Sequence, residues 1–127
     1  GKIGNTLVLN LPGNPLASSI IFEMFGKIII QLLLGSKDIY HNAIRCKLSD
    51  DLNTRAGRTT LIPGNFDGEY FTVSSKVGPG MVSILSICNS FLVLDENVEK
   101  LKSQQEIKIL PINWKFFSKN KKEYITK

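Results

Sequence analysis

The sequence has few of the residues that metal sites and disulfide scaffolds require. Among its 127 residues it has one histidine, His41, and two cysteines, Cys46 and Cys88. One histidine excludes a multi-histidine site within the chain, and two distant cysteines provide neither zinc-ligand spacing nor a disulfide-dense secreted scaffold. We therefore predict no metal site in this chain and expect both cysteines to be buried, inert thiols. His41 has no evident orienting partner, which favours a structural or solvated role over a catalytic one.

The chain also lacks an excess of basic residues over most of its length. Its net charge is +5, but residues 41–113 hold eight basic and eight acidic residues, whereas residues 114–127 hold five lysines and one glutamate. Basic and aromatic residues are not interleaved as they are on nucleic-acid-binding surfaces. We therefore expect no nucleic-acid partner and interpret residues 114–127 as a Lys-rich, solvated tail.

One long hydrophobic run is present, from Leu16 to Leu34, and it has the length of a membrane span. Glu23, Lys27 and Gln31 interrupt it at every fourth position, which places them on one narrow stripe of a helix. A charged pair in mid-membrane is costly, so we predict a helix outside the membrane, with a Glu23–Lys27 ion pair. Such a helix should be buried on nearly all sides, by the segment that follows, a partner chain or a further domain. The first residue is glycine, so we also expect the chain to be processed or excised from a longer protein.

The first part of the chain has the pattern of a strand, a tight loop and a helix. Thr6–Leu11 is mostly apolar, as in the buried strand of a parallel sheet. A Pro-Gly-Asn-Pro turn follows, in which Asn14 is placed as the helix N-cap and Pro15 as the first helical residue. The helix should end just before Gly35. Because one strand and one helix cannot form a core, we interpret residues 1–36 as the incomplete C-terminal end of an α/β domain.

The rest of the chain alternates short strands with turn signals. A turn cluster covers residues 63–68, and its Asp67-Gly68 pair is a strong hairpin signal. Turns spaced by about 8–12 residues are typical of a small barrel or sandwich. The predicted fold class is mainly β, with a small C-terminal β-barrel at residues 37–113 after the α/β remnant. Strands are expected at residues 41–48, 58–62, 69–75, 90–94 and 106–112, with a short helix or strand at 81–87.

The Pro12–Pro15 loop is the one place where the sequence suggests a binding site. Ligands of α/β proteins bind where a strand ends and a helix begins, and the first N–H groups of that helix are expected to be free for an anion. The alternative is a well-formed turn that needs no ligand. Arg58, with Arg55 beside it, has the chemistry to hold an oxyanion through two parallel bonds, and the alternative is a solvated surface arginine. These patterns identify no catalytic residue.

Four motifs carry a resemblance to a known family. In order along about residues 1–112, the sequence resembles the C-terminal part of the molybdopterin molybdenumtransferases, which are related to the E domain of gephyrin. The motifs are Leu11-Pro-Gly-Asn-Pro15 with the long apolar helix that follows it, Arg55-Ala-Gly-Arg58, Gly78-Pro-Gly-Met81, and Ser86-Ile-Cys-Asn-Ser-Phe-Leu-Val-Leu94.

The resemblance implies an enzyme as the full-length protein. Members of the family insert molybdate into adenylated molybdopterin, with Mg²⁺, late in molybdenum cofactor synthesis, and they are elongated cytoplasmic homodimers. The residues that bind Mg²⁺ in the family lie upstream of this chain, so the fragment alone is expected to be inactive. The alternative is a non-catalytic peptide-binding or scaffold module, since gephyrin binds a partner peptide with the same architecture.

The resemblance also assigns residues to the substrates. Pro12 and Pro15 would border the molybdate and pterin-phosphate site in the pterin-binding α/β domain. Gly13 and Asn14 would shape the loop and cap the helix, and Arg58 would hold the oxyanion.

Three positions depart from the family pattern. Ala17 replaces the usual serine, with Ser18 one residue later. Pro79 replaces the middle residue of a Gly-Ser-Gly-like turn, and Pro63 replaces a second arginine.

Overall fold

The structure is a computed structural model that describes residues 1–74, 84–113 and 125–126. The Gly78–Met81 motif, including Pro79, and nearly all of the predicted tail at 114–127 lie outside these residues. In the described part, the elements are β1 (Lys2–Ile3), β2 (Thr6–Leu7), α1 (Pro15–Ile21), a π-helical turn (Phe22–Gly26), α2 (Lys27–Leu33), β3 (Ile44–Leu48), β4 (Leu52–Asn53), β5 (Thr60–Phe66), β6 (Tyr70–Val73), α3 (Ile84–Ile87), β7 (Ser90–Leu94), β8 (Lys100–Leu101) and β9 (Glu106–Pro111).

Five strands form a closed barrel in the order β3-β6-β5-β7-β9. Strand β9 closes the barrel by pairing antiparallel with β3, so that Ile44 lies opposite Ile109. All the neighbouring pairs are antiparallel except β3 and β6, which run parallel over a two-residue register. Strands β4 and β8 form a separate two-stranded sheet. The predicted mainly β fold with a small barrel is therefore confirmed.

The barrel core follows from the alternation of apolar and polar residues along its strands. In β9, Ile107 and Ile109 are buried while Glu106 and Lys108 are exposed, as the two-residue period of a strand requires. Each fully buried aliphatic or aromatic side chain contributes roughly 1.5–3 kcal/mol. One connected cluster results, and its buried members are Cys46, Leu48, Phe66, Phe71, Leu92, Leu94, Leu101, Ile107 and Ile109.

The turn predicted over residues 63–68 is wrong in its first half, because β5 continues to Phe66. Pro63 lies past the last β5–β6 pair, Gly64 with Val73, and its carbonyl accepts from Ser74 N at 3.0 Å. A missing proline N–H is tolerated at such an end of a ladder. Gly64 is required for a different reason, since the ring of Phe71 lies over it and leaves no room for a Cβ. The sequence therefore places two turn-forming residues inside a strand.

The second half of the turn forms the predicted hairpin between β5 and β6. Gly68 has a positive φ of 103°, a conformation that favours glycine. The carboxylate of Asp67 accepts bonds from the backbone N–H groups of Glu69 and Tyr70, at 3.0 and 2.9 Å. These bonds fix the reversal of the chain at this point.

The buried side chain of Asn89 joins the strands at one end of the barrel. Its Oδ1 accepts a bond from the N–H of Phe66, and its Nδ2 donates to the carbonyl of Phe66, both at 2.8 Å. The last backbone pair of β5 with β7 is Gly64 with Ser90. The side-chain amide of Asn89, which directly precedes β7, therefore continues the β5–β7 ladder beyond its last backbone pair. Its backbone carbonyl also accepts from the N–H of Ile112, at 2.8 Å, just after β9.

A continuous helix from Pro15 to Leu33, called the apolar helix below, precedes the barrel. Asn14 caps its first turn and Gly35, with a φ of +76°, follows its last, so both predicted ends are confirmed. Lys27 and Glu23 form the predicted ion pair. The π-helical turn widens the helix midway, where the ring of Phe22 covers Gly26.

Within the described part of this chain, the segment that follows does not bury the helix on nearly all sides, so cover by a partner chain or a further domain stays a prediction. Gly26 is its one buried residue, whereas Phe25, Leu32 and Leu33 are 56%, 51% and 68% exposed. Among the described residues, the helix is covered on one side only. Ile20, Ile21 and Ile28 are half-buried, whereas Lys27 and Gln31 of the polar stripe are exposed. Lys27 also lines a cavity of about 280 Å³ together with Pro111–Asn113, at the end of β9. By length and composition alone, the helix also qualifies as a candidate membrane span.

The buried parallel strand expected at Thr6–Leu11 is also not observed. Strand β2 is two residues long and pairs antiparallel with β1, across a turn in which Gly4 has a φ of +57°. Leu7 and Leu11 are 49% and 43% exposed. An apolar strand forms a parallel ladder only beside other strands, and among the described residues β2 has β1 alone.

Both cysteines are free and buried, as predicted. Burial, with a smaller contribution from Asp67, raises the pKa of the Cys46 thiol from 9.0 to about 11, and burial also raises the pKa of Cys88. Because the thiolate is the reactive form, we expect Cys46 in the folded chain to react with Ellman's reagent about a hundredfold more slowly at pH 8 than in guanidinium. Rapid release of two thiols per folded chain would contradict this expectation.

Candidate functional site

The Pro12–Pro15 loop lies exposed at the start of the apolar helix. The Oδ1 of Asn14 accepts bonds from the N–H groups of Leu16 and Ala17, at 3.0 and 3.2 Å. The backbone carbonyl of Asn14 accepts from Ser18 N, at 2.9 Å, and Pro15 has no N–H. The expectation that the first N–H groups of the helix are free is therefore wrong, because Asn14 occupies them. The positive end of the helix dipole remains as an attraction for an anion.

The serine hydroxyl nearest to the loop also bonds within the loop. Ser18 donates its hydroxyl to the carbonyl of Pro12, and Ser19 donates to the carbonyl of Pro15 at 2.9 Å. Ala17 offers no hydroxyl. The loop is consequently closed by its own hydrogen bonds, which hold Pro12 and Pro15 in fixed positions.

Arg58 lies exposed in the connection between β4 and β5. Its neighbour Gly57 has a φ of +111° and donates its N–H to the carbonyl of Glu96, at 2.8 Å. Thr60 donates its hydroxyl to the carbonyl of Arg58, at 3.2 Å. The side chain of Arg58 forms no ion pair with any described carboxylate, in contrast to Arg45, whose guanidinium lies 3.8 Å from Glu106.

The loop and the arginine lie toward opposite ends of strand β5. Arg58 precedes Thr60, which pairs with Leu94, whereas Gly64 pairs with Ser90 at the start of β7. The apolar helix contacts the barrel at that second end, through α3. Four residues of strand separate Thr60 from Gly64, which is about 13 Å. No hydrogen bond or ion pair in the described part joins the two groups.

The adjacent carboxylates of Asp50 and Asp51 are used elsewhere. Asp51 accepts from the N–H of Ser103 at 2.8 Å and pairs with Lys102 at 2.9 Å. These partners, the Ser103 bond first, lower the pKa of Asp51. Asp50 accepts from the hydroxyl of Ser49 at 2.7 Å. Across residues 1–74, 84–113 and 125–126, no group of three or more metal-binding side chains is present, so the described residues do not fit a Mg²⁺ site.

Comparison with protein families gives the barrel an assignment. The model of the MoeA C-terminal region (domain IV) matches residues 45–112, which include β3, β5–β7 and β9 almost completely. The chain belongs to this family. The predicted resemblance is thereby confirmed, and the matched region carries both Arg58 and Asn89.

Individual MoeA relatives match a larger part of the chain. Molybdopterin molybdenumtransferase 2 of Mycobacterium tuberculosis is 23% identical over 111 residues, covering 86% of this chain and 27% of that protein. The molybdopterin biosynthesis MoeA protein of Pyrococcus horikoshii OT3 is similar with a TM-score of 0.68 and 25% identity, over 78% of this chain and 26% of that one. A molybdenum cofactor biosynthesis protein of Pyrococcus furiosus gives a TM-score of 0.67 and 30% identity, over 78% and 36%. The chain thus spans about a quarter of the length of the curated relative that it matches.

Two groups of residues in the matched region have a structural role that only the structure shows. Asn89 belongs to the Ser86–Leu94 motif. The sequence does not reveal that its side chain is buried and bonds to the backbone of Phe66 in β5. Gly57 and Thr60 hold the backbone around Arg58, and their proximity to it was visible in the sequence as Gly-Arg-Thr-Thr.

Proposed function

We propose that this chain is the C-terminal part of a molybdopterin molybdenumtransferase, which inserts molybdate into adenylated molybdopterin. The family match over residues 45–112 carries the proposal, and the name of the Mycobacterium tuberculosis relative supports it. In this proposal, Pro12, Gly13, Asn14 and Pro15 border the pterin phosphate and molybdate. Arg58 contributes a guanidinium to the molybdate, because a planar fork of N–H donors matches an oxyanion.

The rest of the active site is proposed to come from outside this chain. Mg²⁺ would be held by carboxylates elsewhere in the full-length protein, since the described residues do not fit it. In this proposal, a homodimer or additional domains supply the remaining contacts, since the chain spans 27% of its curated relative. We further propose that the full-length protein is cytoplasmic and that the chain alone is inactive.

The proposal is tested by assaying the purified full-length protein with adenylated molybdopterin and molybdate. Formation of molybdenum cofactor, detected by reconstitution of a cofactor-free molybdoenzyme, is the expected result. Absence of product, with a related transferase active in parallel, would overturn the proposal. Tight binding of a partner peptide without turnover would instead favour the scaffold alternative.

Replacement of Arg58 by alanine should weaken the use of molybdate more than the binding of pterin. Loss of one charged hydrogen-bond donor costs about 1.5–3 kcal/mol, so we expect the KM for molybdate to rise at least about tenfold. The KM for adenylated molybdopterin should stay within about twofold. Arg55→Ala is the matched control, since Arg55 is an exposed arginine of the same connection. Equal KM values for molybdate in the two variants would remove Arg58 from the site.

A further inference from the structure

We propose that Gly57 and Thr60 are positioning residues that fix the backbone of Arg58, so that its guanidinium is presented to the oxyanion in one direction. The inference rests on the proposed function of Arg58 and adds the residues through which the barrel holds it.

The first contact that fixes Arg58 precedes it in the chain. Gly57 donates its N–H to the carbonyl of Glu96, at 2.8 Å, in the connection between β7 and β8. Immediately before Arg55, the N–H of Thr54 donates to the carbonyl of Glu99, also at 2.8 Å. The φ of +111° at Gly57 lies in a region that residues other than glycine rarely adopt. The arginine-bearing connection is therefore bound along residues 96–99 in a conformation that glycine makes accessible.

The second contact follows Arg58. Thr60 donates its hydroxyl to the carbonyl of Arg58, at 3.2 Å, and its own backbone pairs with Leu94 in the barrel wall. The carbonyl of Arg58 is thereby tied to the first residue of a barrel strand. With Gly57 bound on one side and Thr60 on the other, little backbone freedom remains at Arg58.

The guanidinium itself is not used by these contacts. The neighbouring segment carries the carboxylates of Asp95, Glu96 and Glu99, yet no ion pair forms between them and Arg58 among the described residues. Asp95 accepts from Asn97 instead, at 2.7 and 3.0 Å. Backbone bonds rather than charge pairing hold the connection, so the donors of the Arg58 fork are kept for a ligand. With the backbone held in advance, only the side chain of Arg58 has to be ordered when the ligand binds.

The test compares two glycine variants of the full-length protein. Gly57→Ala introduces a strained φ with no atom within 4 Å of the new Cβ. Gly68→Ala is its matched control, because Gly68 has a φ of +103° and equally open surroundings at the β5–β6 hairpin. Both should lower the unfolding temperature by similar amounts. We expect Gly57→Ala alone to raise the KM for molybdate, by at least about fivefold, with the KM for the pterin substrate unchanged.

A second pair of variants tests the hydroxyl contact without glycine strain. Thr60→Val removes the hydroxyl and keeps the branched shape, whereas Thr60→Ser keeps the hydroxyl. We expect Thr60→Val to raise the KM for molybdate, and Thr60→Ser to keep it near the value of the parent protein. If Arg58→Ala raises this KM but Gly57→Ala matches Gly68→Ala and Thr60→Val matches Thr60→Ser, the positioning inference is overturned. If Arg58→Ala leaves it unchanged, the proposed role of Arg58 fails instead.

Discussion

Replacement of Gly64 by alanine is expected to destabilise the barrel by about 3 kcal/mol, the upper part of the usual range for overpacking a core. The new Cβ would lie 2.4 Å from Cζ of Phe71 and 2.5 Å from the carbonyl oxygen of Thr72. Neither neighbour has room to retreat. Phe71 has no exposed surface, and Thr72 is paired with Asn65 in the β5–β6 ladder. Relief would require part of the barrel wall to move.

Guanidinium unfolding of the chain, followed by circular dichroism, measures this loss. Gly13→Ala is the control, since no atom lies within 4 Å of its Cβ position, and its effect should stay within about 0.5 kcal/mol. A double-mutant cycle with Phe71→Leu identifies the cause. We expect Phe71→Leu to cost less in the Gly64→Ala background than alone, because the shorter side chain relieves one of the two overlaps. Equal stability of Gly64→Ala and the parent chain would contradict the close packing of Phe71 on Gly64.

Asn89→Ala is expected to cost about 3 kcal/mol as well, for the opposite reason. This substitution removes hydrogen bonds, whereas Gly64→Ala overfills the core. The N–H and carbonyl of Phe66 lose their 2.8 Å bonds to the Asn89 amide, and the hydroxyl of Ser90 loses its acceptor at 2.9 Å. Asn89 is 4% exposed, so water is a poor substitute, and each buried polar group left without this partner costs about 1–3 kcal/mol.

The matched control for Asn89 is Asn65→Ala. Asn65 is exposed and lies in the same strand as Phe66, so its replacement should change the unfolding free energy by less than about 0.5 kcal/mol. Hydrogen exchange adds a local measurement. We expect the amide of Phe66 to lose protection in Asn89→Ala beyond the global change, while the amides of the β3–β9 pair follow the global stability. Unchanged relative protection at Phe66 would show that the Asn89 bonds are not what holds it.

Two strands fall at or close to the residues that the sequence patterns predicted. Strand β9 alternates between core and solvent, whereas β7 is a short apolar run with four of its five residues buried. The Asp67-Gly68 turn carries its own chemical signal. Strands β4 and β8 were not predicted, because two paired residues are too short to show a period. The end of β5 was misread because Pro63 and Gly64 usually mark turns, and their tolerance depends on β6 and Phe71, which lie elsewhere in the sequence.

The helix N-terminus at the candidate site was predicted, but its hydrogen bonds were not, and the roles of the site residues stay predictions. The spacing of Asn14 and Pro15 correctly gave a helix N-terminus, yet it did not reveal that the Asn14 side chain takes the N–H groups expected for an anion. The placement of Arg58 depends on the order of barrel strands, which no local pattern encodes. The side on which the helix is covered is likewise not encoded locally, since the amphipathic pattern states which side is polar but not which partner the helix meets.

The closing pair of the barrel has a consequence for how the protein is made. Ile44 pairs with Ile109, so the two strands that seal the wall are separated by about half of the chain. Contacts between such distant residues are slow to form, because the intervening loop must first lose its freedom. During synthesis, β3 leaves the ribosome long before β9 exists, and the preceding apolar helix is already exposed. We therefore expect the barrel to close after translation of this region is complete, with the helix dependent on chaperones until then.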